Sequence, residues 1–296
     1  MINNVKTIFS IKDLENLSGV KAHTIRIWEK RYGVFVPMRT DTNIRYYDVE
    51  NLQKLLNITL LHKHGYKISK IATFEEQRIP VLVKQIMSRK SASNHAVNAF
   101  KLAMMNFDQT QFFTTYDSIL VDKSFTEIFN EVFIPLLEEI GMLWQTSTIT
   151  PAHEHFISYL IRQKILTNTE KIQAAAPTKS DKVFILFLPT GEIHDLGLMY
   201  SNYEIVRHGY RSVYLGENVP VESFVDLHKH FENIVYVSYL TVSLSLPERQ
   251  LYMDEFKEKI LNTKAELWLM GRNSDQFDFD KNIRVFKSLA DLMHEL

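Results

Sequence analysis

From Lys182 to the C-terminus, short continuous apolar runs alternate with segments of helical period, and this alternation constrains the fold more than any other feature of the chain. Lys182-Val183-Phe184-Ile185-Leu186-Phe187-Leu188 is short and unbroken, as in a strand buried on both faces. The pattern predicts a helix from about 196 to 208, a strand over 212–215, a helix over 220–231 and a strand over 233–239. A helix over 247–261, a strand over 265–270, a short strand over 283–286 and a helix over 288–296 follow. About 115 residues built this way give a five-stranded parallel sheet with helices on both faces. Such sheets bind ligands beyond the carboxyl ends of their strands. The loops to inspect are therefore Gly191-Glu192-Ile193-His194-Asp195-Leu196-Gly197, Ser238-Tyr239-Leu240-Thr241-Val242-Ser243 and Met270-Gly271-Arg272-Asn273-Ser274.

The sheet accounts for well under half of the 296 residues, so the chain holds more than one domain. No cysteine is present, which excludes disulfides, thiolate metal sites, iron–sulfur clusters and a thiol nucleophile. The longest apolar run, Val183 to Leu188, is too short to span a bilayer, and the N-terminus shows no signal pattern, so a cytoplasmic protein without a membrane partner is expected. The formal charge of −1 argues against nucleic acid only if charge is spread evenly. It is not: residues 1–70 hold 12 Lys and Arg against 6 Asp and Glu, and the remainder holds 22 against 29. A +6 head on a −7 body points to nucleic-acid contact by the head.

Pattern supports that reading. Ser10 with Asp13 is a helix-start signal, Ile11, Leu14 and Leu17 share a face, and Gly19 follows the predicted end. A second helix starts near Lys21 and runs through Arg31, with Ile25 and Trp28 inward and Lys21, His23, Thr24, Arg26, Lys30 and Arg31 outward. Two short helices about a glycine turn form a helix–turn–helix, whose second helix enters the major groove. A turn at Asp41-Thr42-Asn43 between extended pieces makes a wing, where Arg39, Arg45, Tyr46 and Tyr47 suit phosphate contact. Helices are predicted over about 48–62 and 67–78.

Residues 80–172 lack Gly apart from Gly141, hold few strand signals and read as a bundle, with helices over 80–88, 92–105, 108–121, 124–145 and 151–173. Pro135 predicts a kink or break, and Pro151 fits the first turn of the last helix. On residue type alone, Trp144 is expected in the core and His153 and His155 on the surface. The two histidines, at i and i+2, are a poor chelating pair. The domain reading is 1–78 winged helix–turn–helix, 79–176 four-helix-type bundle and 177–296 flavodoxin-like, Rossmann-type sheet: a multidomain α and α/β chain.

Thr24-Ile25-Arg26-Ile27-Trp28-Glu29-Lys30-Arg31-Tyr32-Gly33, Pro37, Arg39-Thr40 and Arg45-Tyr46-Tyr47 resemble the MerR family of transcription regulators over roughly residues 7–75. Trp144, nine intervening residues and then Glu154-His155 is similar to the helical module of cobalamin-dependent photoreceptor regulators. The resemblance implies that these three residues line the upper face of the corrin around the adenosyl group. The last segment resembles the B12-binding fold. His194 matches the lower axial cobalt ligand, Ser238-x-Leu240 the Ser-x-Leu motif at the nucleotide tail, and Gly197, Leu215-Gly216 and Gly271 the positions of close backbone approach. Glu192 stands where the wider pattern has Asp, as in the photoreceptor regulators, and Arg272 replaces the second glycine of a Gly-Gly pair.

The resemblance implies a non-enzymatic DNA-binding regulator, a repressor, that senses adenosylcobalamin and light and controls carotenoid-type genes. Its partners would be a double-stranded operator and other copies of itself, as dimer or tetramer, depending on light or cofactor. Two other readings stay open: a MerR-like regulator without cobalamin that answers to a partner, and a corrinoid carrier subunit of a methyltransferase. Gln145, adjacent to Trp144, is a poor cobalt ligand, so a replacement ligand after photolysis would have to be His153 or His155, or none.

Overall fold

A computed structural model describes residues 8–40, 42–75, 77–85, 89–145, 148–240, 246–261, 264–271 and 281–296. Gln145's side chain, residues 241–245 and Arg272 lie outside the described part. Internal contacts divide the chain into two compact units, Met1–Ile161 and Arg162–Leu296.

The first unit begins with α1 (Ile11–Ser18), started by a reciprocal capping box between Ser10 and Asp13 and closed by Gly19. Helix α2 (Ala22–Tyr32) buries Ile25 and Trp28 as expected. It has no cap of its own; Glu15 of α1 accepts the Ala22 N–H at 3.2 Å and so fixes the turn between the helices. This bond is the main cause of the lowered Glu15 pKa. Strands β1 (Met38–Arg39) and β2 (Arg45–Tyr46) pair antiparallel as the wing. Helix α3 (Val49–Lys63) follows its Asp48 cap. The helix expected over 67–78 is a single turn, α4 (Ile68–Ile71), ended by a turn in which the Thr73 hydroxyl bonds the Lys70 carbonyl.

Next come α5 (Arg78–Gln85), α6 (Arg89–Asn106) and α7 (Gln109–Leu120). The predicted 124–145 helix is α8 (Phe125–Ile128), a π-helical turn (Phe129–Phe133) and α9 (Ile134–Gln145). Pro135 supplies no N–H and its ring crowds the carbonyl four residues back. The chain answers with a wider turn, in which the Ile134 N–H reaches Phe129 O, rather than with a break. Phe100, Phe112 and Phe133 form the centre of the bundle core, with ring centroids 4.8–6.2 Å apart. Helix α10 (Pro151–Gln173) runs through the division between the two units.

The second unit holds a parallel sheet of β3 (Lys179–Phe187), β4 (Tyr210–Gly216), β5 (Ile234–Tyr239), β6 (Glu266–Met270) and β7 (Ile283–Phe286), in the order β4-β3-β5-β6-β7. Alternate strand residues serve opposite faces. Phe184, Leu186, Val235, Val237 and Trp268 pack with Leu198, Ile205 and Leu292 of α11 (Leu196–Arg207) and α13 (Leu289–Met293). Ile185, Phe187, Tyr236, Leu267 and Leu269 pack with Phe224, Met253 and Phe256 on the other side. The 220–231 segment is a 3₁₀ helix (Val221–Lys229) rather than an α-helix, with bonds such as Ser223 N–H to Pro220 O. The 247–261 segment is α12 (Leu246–Phe256) followed by a π turn (Lys257–Leu261). The final helix is shorter than expected, only α13.

Candidate functional site

The sheet order is the doubly wound one whose reversal lies between β3 and β5. The loop after β3 carries His194, and the end of β5 carries Ser238, so the two flank that reversal. Glu192 is 2% exposed, and its Oε1 accepts the backbone N–H groups of Ile193 and His194 at 3.0 Å each. The same oxygen lies 2.7 Å from His194 Nδ1. An ionised carboxylate only accepts, so Nδ1 carries the proton and Nε2 is left as a lone-pair donor on a half-exposed ring. The longer arm of Glu suits this arrangement, because a single oxygen serves three N–H groups.

Ser238 is buried, and among the described residues its hydroxyl has no hydrogen-bond partner. Buried hydroxyls are normally satisfied, so an orphan at a strand end beside the sheet reversal is suited to receive a ligand atom. Leu240 is buried beside it, with its N–H on Met270 O at 2.8 Å; at the end of β4 Leu215 is exposed and Gly216 partly so. Two of the glycines are required by the chain itself. A Cβ on Gly271, at φ +105°, would sit 1.9 Å from Leu240 O, and one on Gly197 would meet the Tyr239 ring at 2.6 Å. These two glycines let chain approach chain; of the pair, only Gly271 also requires the left-handed backbone. A nitrogen ligand oriented by a buried carboxylate and an unsatisfied hydroxyl across the reversal together fit a corrinoid.

Two residues in this unit escaped sequence reading. Asp195 is 6% exposed, and Arg162 Nη2 donates to its Oδ1 at 2.7 Å. Burial raises the Asp195 pKa against the opposing pull of Arg162, and burial, with Asp195 nearby, raises that of Tyr214.

In the first unit, Trp144 is 53% exposed, against the expectation of a core aromatic. His153 departs the other way: it is 1% exposed, stacks on Phe107 at 4.7 Å, and its Nδ1 accepts the Thr150 N–H at 3.2 Å. The polar partner of the buried imidazole is thus local, Thr150 just before α10, and Phe107 in the α6–α7 turn covers the ring. Glu154 is partly buried, and His155 is exposed.

On the head, Lys21, His23, Arg26, Lys30, Arg31, Arg39 and Arg45 are exposed, and Thr24 and Tyr46 partly so. Tyr47 is fully buried and donates its hydroxyl to Glu29 at 3.0 Å, so it cannot clamp phosphate as the sequence suggested. Glu29 also accepts Arg45 Nε at 3.0 Å, tying the wing to the recognition helix, and Arg39 donates to Asn43 Oδ1 at 2.6 Å. Burial and the Glu29 carboxylate push the Tyr47 phenol up to about 12. An unfolded tyrosine ionises near pH 10. The stabilisation is therefore intact below about pH 10 and lost as pH rises through about 12. Tyr47→Phe is expected to flatten that alkaline loss, read by urea denaturation midpoints across the same window.

Below the head, Lys101 of α6 is buried and donates to Leu17 O at the end of α1 (3.1 Å) and to Glu139 of α9 (2.6 Å). Asn16 of α1 donates to Thr148 in the α9–α10 corner at 2.9 Å, and Thr148 is fully buried. Separations of 84 and 132 residues explain why local patterns did not reveal these bonds.

The MerR HTH family regulatory protein model matches residues 9–77, and the B12 binding domain model matches residues 96–166, the bundle helices α6 to mid-α10. The chain carries a MerR helix–turn–helix domain and a B12-binding domain. It is similar to two proteins of Myxococcus xanthus. One is the HTH-type transcriptional repressor CarH (29% identity over 220 residues, 72% of each chain); the other is the HTH-type transcriptional repressor CarA (25% over 215 residues, 71% of this chain and 68% of that one). The monomethylamine corrinoid protein of Methanosarcina barkeri shares its fold, with a TM-score of 0.57 at 16% identity over 70% of this chain and 97% of that one. Among the described residues, no helix is long and apolar enough to cross a membrane.

Proposed function

We propose that this chain is a DNA-binding repressor whose affinity for its operator is set by a cobalamin, in its adenosyl form, and by light. The observation that carries the reading is the Glu192–His194 pair across the sheet reversal from the unsatisfied Ser238 hydroxyl, on the same chain as a winged helix–turn–helix. Residues 1–78 act as the reader, 79–176 as the cover of the cofactor and 177–296 as its seat. His194 Nε2 would hold the cobalt, with Glu192 fixing the tautomer, and Ser238 and Leu240 would receive the tail. Trp144, whose indole is half-exposed, would contact the adenosyl group with Glu154 and His155. Gly197, Leu215, Gly216 and Gly271 shape the strand-end rim. When bound, adenosylcobalamin supplies a cobalt–carbon bond that visible light can break. The protein's part is to make different contacts before and after, as any ligand-biased switch requires.

The test is the absorption spectrum of the protein mixed with adenosylcobalamin in the dark and after illumination, with duplex DNA binding measured in both states. A red protein whose spectrum and DNA affinity change together with light supports the proposal. A protein that stays colourless removes the cofactor part and leaves a regulator that answers to something else. Methyl transfer with a partner enzyme would favour a carrier instead.

The DNA face makes its own prediction. Paired copies are expected, because two recognition helices must reach successive major grooves about 34–36 Å apart. Arg26→Ala and Arg39→Ala should weaken duplex binding and lower the slope of log affinity against log salt by about one for each phosphate no longer neutralised. Unchanged affinity and slope in both would reject the assigned face.

A further inference from the structure

We propose that Arg162 is a positioning residue for His194, holding the ligand loop through Asp195; this rests on the corrinoid reading above. Asp195 directly follows His194 and occupies the N-cap of α11. An Asp there normally turns its carboxylate onto the first free N–H groups of the helix. Here its backbone is helical (φ −92°, ψ −13°), and its side chain makes no capping bond. The carboxylate is instead buried, with Oδ1 on Arg162 Nη2 at 2.7 Å. The other ionisable groups within reach of Asp195 are the neighbouring His194, Tyr214 of β4 and Glu217 just after β4, whose like charge disfavours a buried carboxylate. A buried carboxylate that has given up its cap needs its cation, so the Arg162 guanidinium determines where the loop sits.

Arg162 lies on α10, seven residues beyond His155, so the two share a face of one helix, two turns apart. The ligand loop is thus gripped at both ends of its chemistry. Glu192 sets the tautomer of the imidazole from within the loop, and Arg162 sets the position of the backbone that carries it, from a helix that also bears Glu154 and His155. A lysine in place of Arg162 keeps the charge but loses the planar fork.

The experiment uses the full-length chain labelled with ¹⁵N-histidine and loaded with cob(II)alamin. In the electron paramagnetic resonance spectrum, a coordinating protein ¹⁵N splits the cobalt lines into doublets, whereas a ¹⁴N of the cofactor's own base gives triplets. The wild type is expected to show doublets, and Arg162→Met, with the apo protein melting as a folded chain, to show a ratio of coordinated to uncoordinated cobalt lowered about tenfold, the lower end of the effect seen for groups that orient a metal ligand. Arg162→Lys is expected to recover most of it. Should Arg162→Met not fold, Asp195→Asn carries the same expectation from the loop side. Doublets of wild-type strength in Arg162→Met, or in Asp195→Asn if that is the variant that folds, overturn the positioning role while leaving the cobalamin reading standing. Absence of doublets in the wild type itself removes the reading on which the role depends, and the role with it.

Discussion

His194→Ala is expected to abolish nitrogen coordination from the protein and to leave any residual cobalamin with its own base on cobalt or with none. The ring is half-exposed and its Nε2 lone pair is unprotonated, because the buried Glu192 oxygen 2.7 Å away makes Nδ1 the donor. Glu192→Gln separates the two roles. A glutamine can turn its amide N–H toward Nδ1, permit the other tautomer and put the proton on the nitrogen that should bind metal, while its shape still fills the loop. The expected loss in corrinoid affinity is about 10–100-fold for Glu192→Gln. Equilibrium dialysis against adenosylcobalamin in the dark measures both; wild-type affinity and spectrum in His194→Ala would remove His194 from the site.

The second large effect is structural. Glu139→Ala is expected to destabilise the first unit by about 2 kcal/mol, because a charged hydrogen bond disappears and a buried ammonium keeps only a single carbonyl. The value sits below that of a fully buried pair because Glu139 is itself part-exposed. Lys101→Met removes the charge along with its partner's role and keeps the apolar stem, so it should cost less than Glu139→Ala, leaving chiefly Leu17 O unsatisfied. Urea midpoints rank the two. The reverse order would mean that the Lys101–Leu17 bond, rather than the Glu139 pair, holds the ammonium in place.

What the sequence made legible is what local physics decides. The Ser10–Asp13 box, the glycine after α1, the apolar strands and the ligand loop after β3 all involve residues a few positions apart, or follow from one rule about strand ends. Trp144 and His153 were misplaced for the same reason that Arg162–Asp195 was missed. Helical period tells which residues share a face, not which face a distant helix covers. Phe107 makes His153 a core residue, yet the two stand 46 positions apart. The α4 and 3₁₀ segments differ from expectation because local bonds three residues apart, the Thr73 hydroxyl on Lys70 O and Ser223 N–H on Pro220 O, compete with a weak helical preference.

The corner between α9 and α10 touches α1 through Thr148 and Asn16, and α9 itself reaches α1 through Glu139 and Lys101. Helix α1 is pinned in turn to the recognition helix by Glu15. A ligand that displaces α9 must therefore do work against the head, and thermodynamic reciprocity requires the converse: operator DNA changes affinity for that ligand by the same factor. Titrating the cofactor at saturating operator would then give a dissociation constant different from that of the free protein. The ratio of the two is a direct reading of how stiffly Lys101 and Thr148 join sensing to DNA.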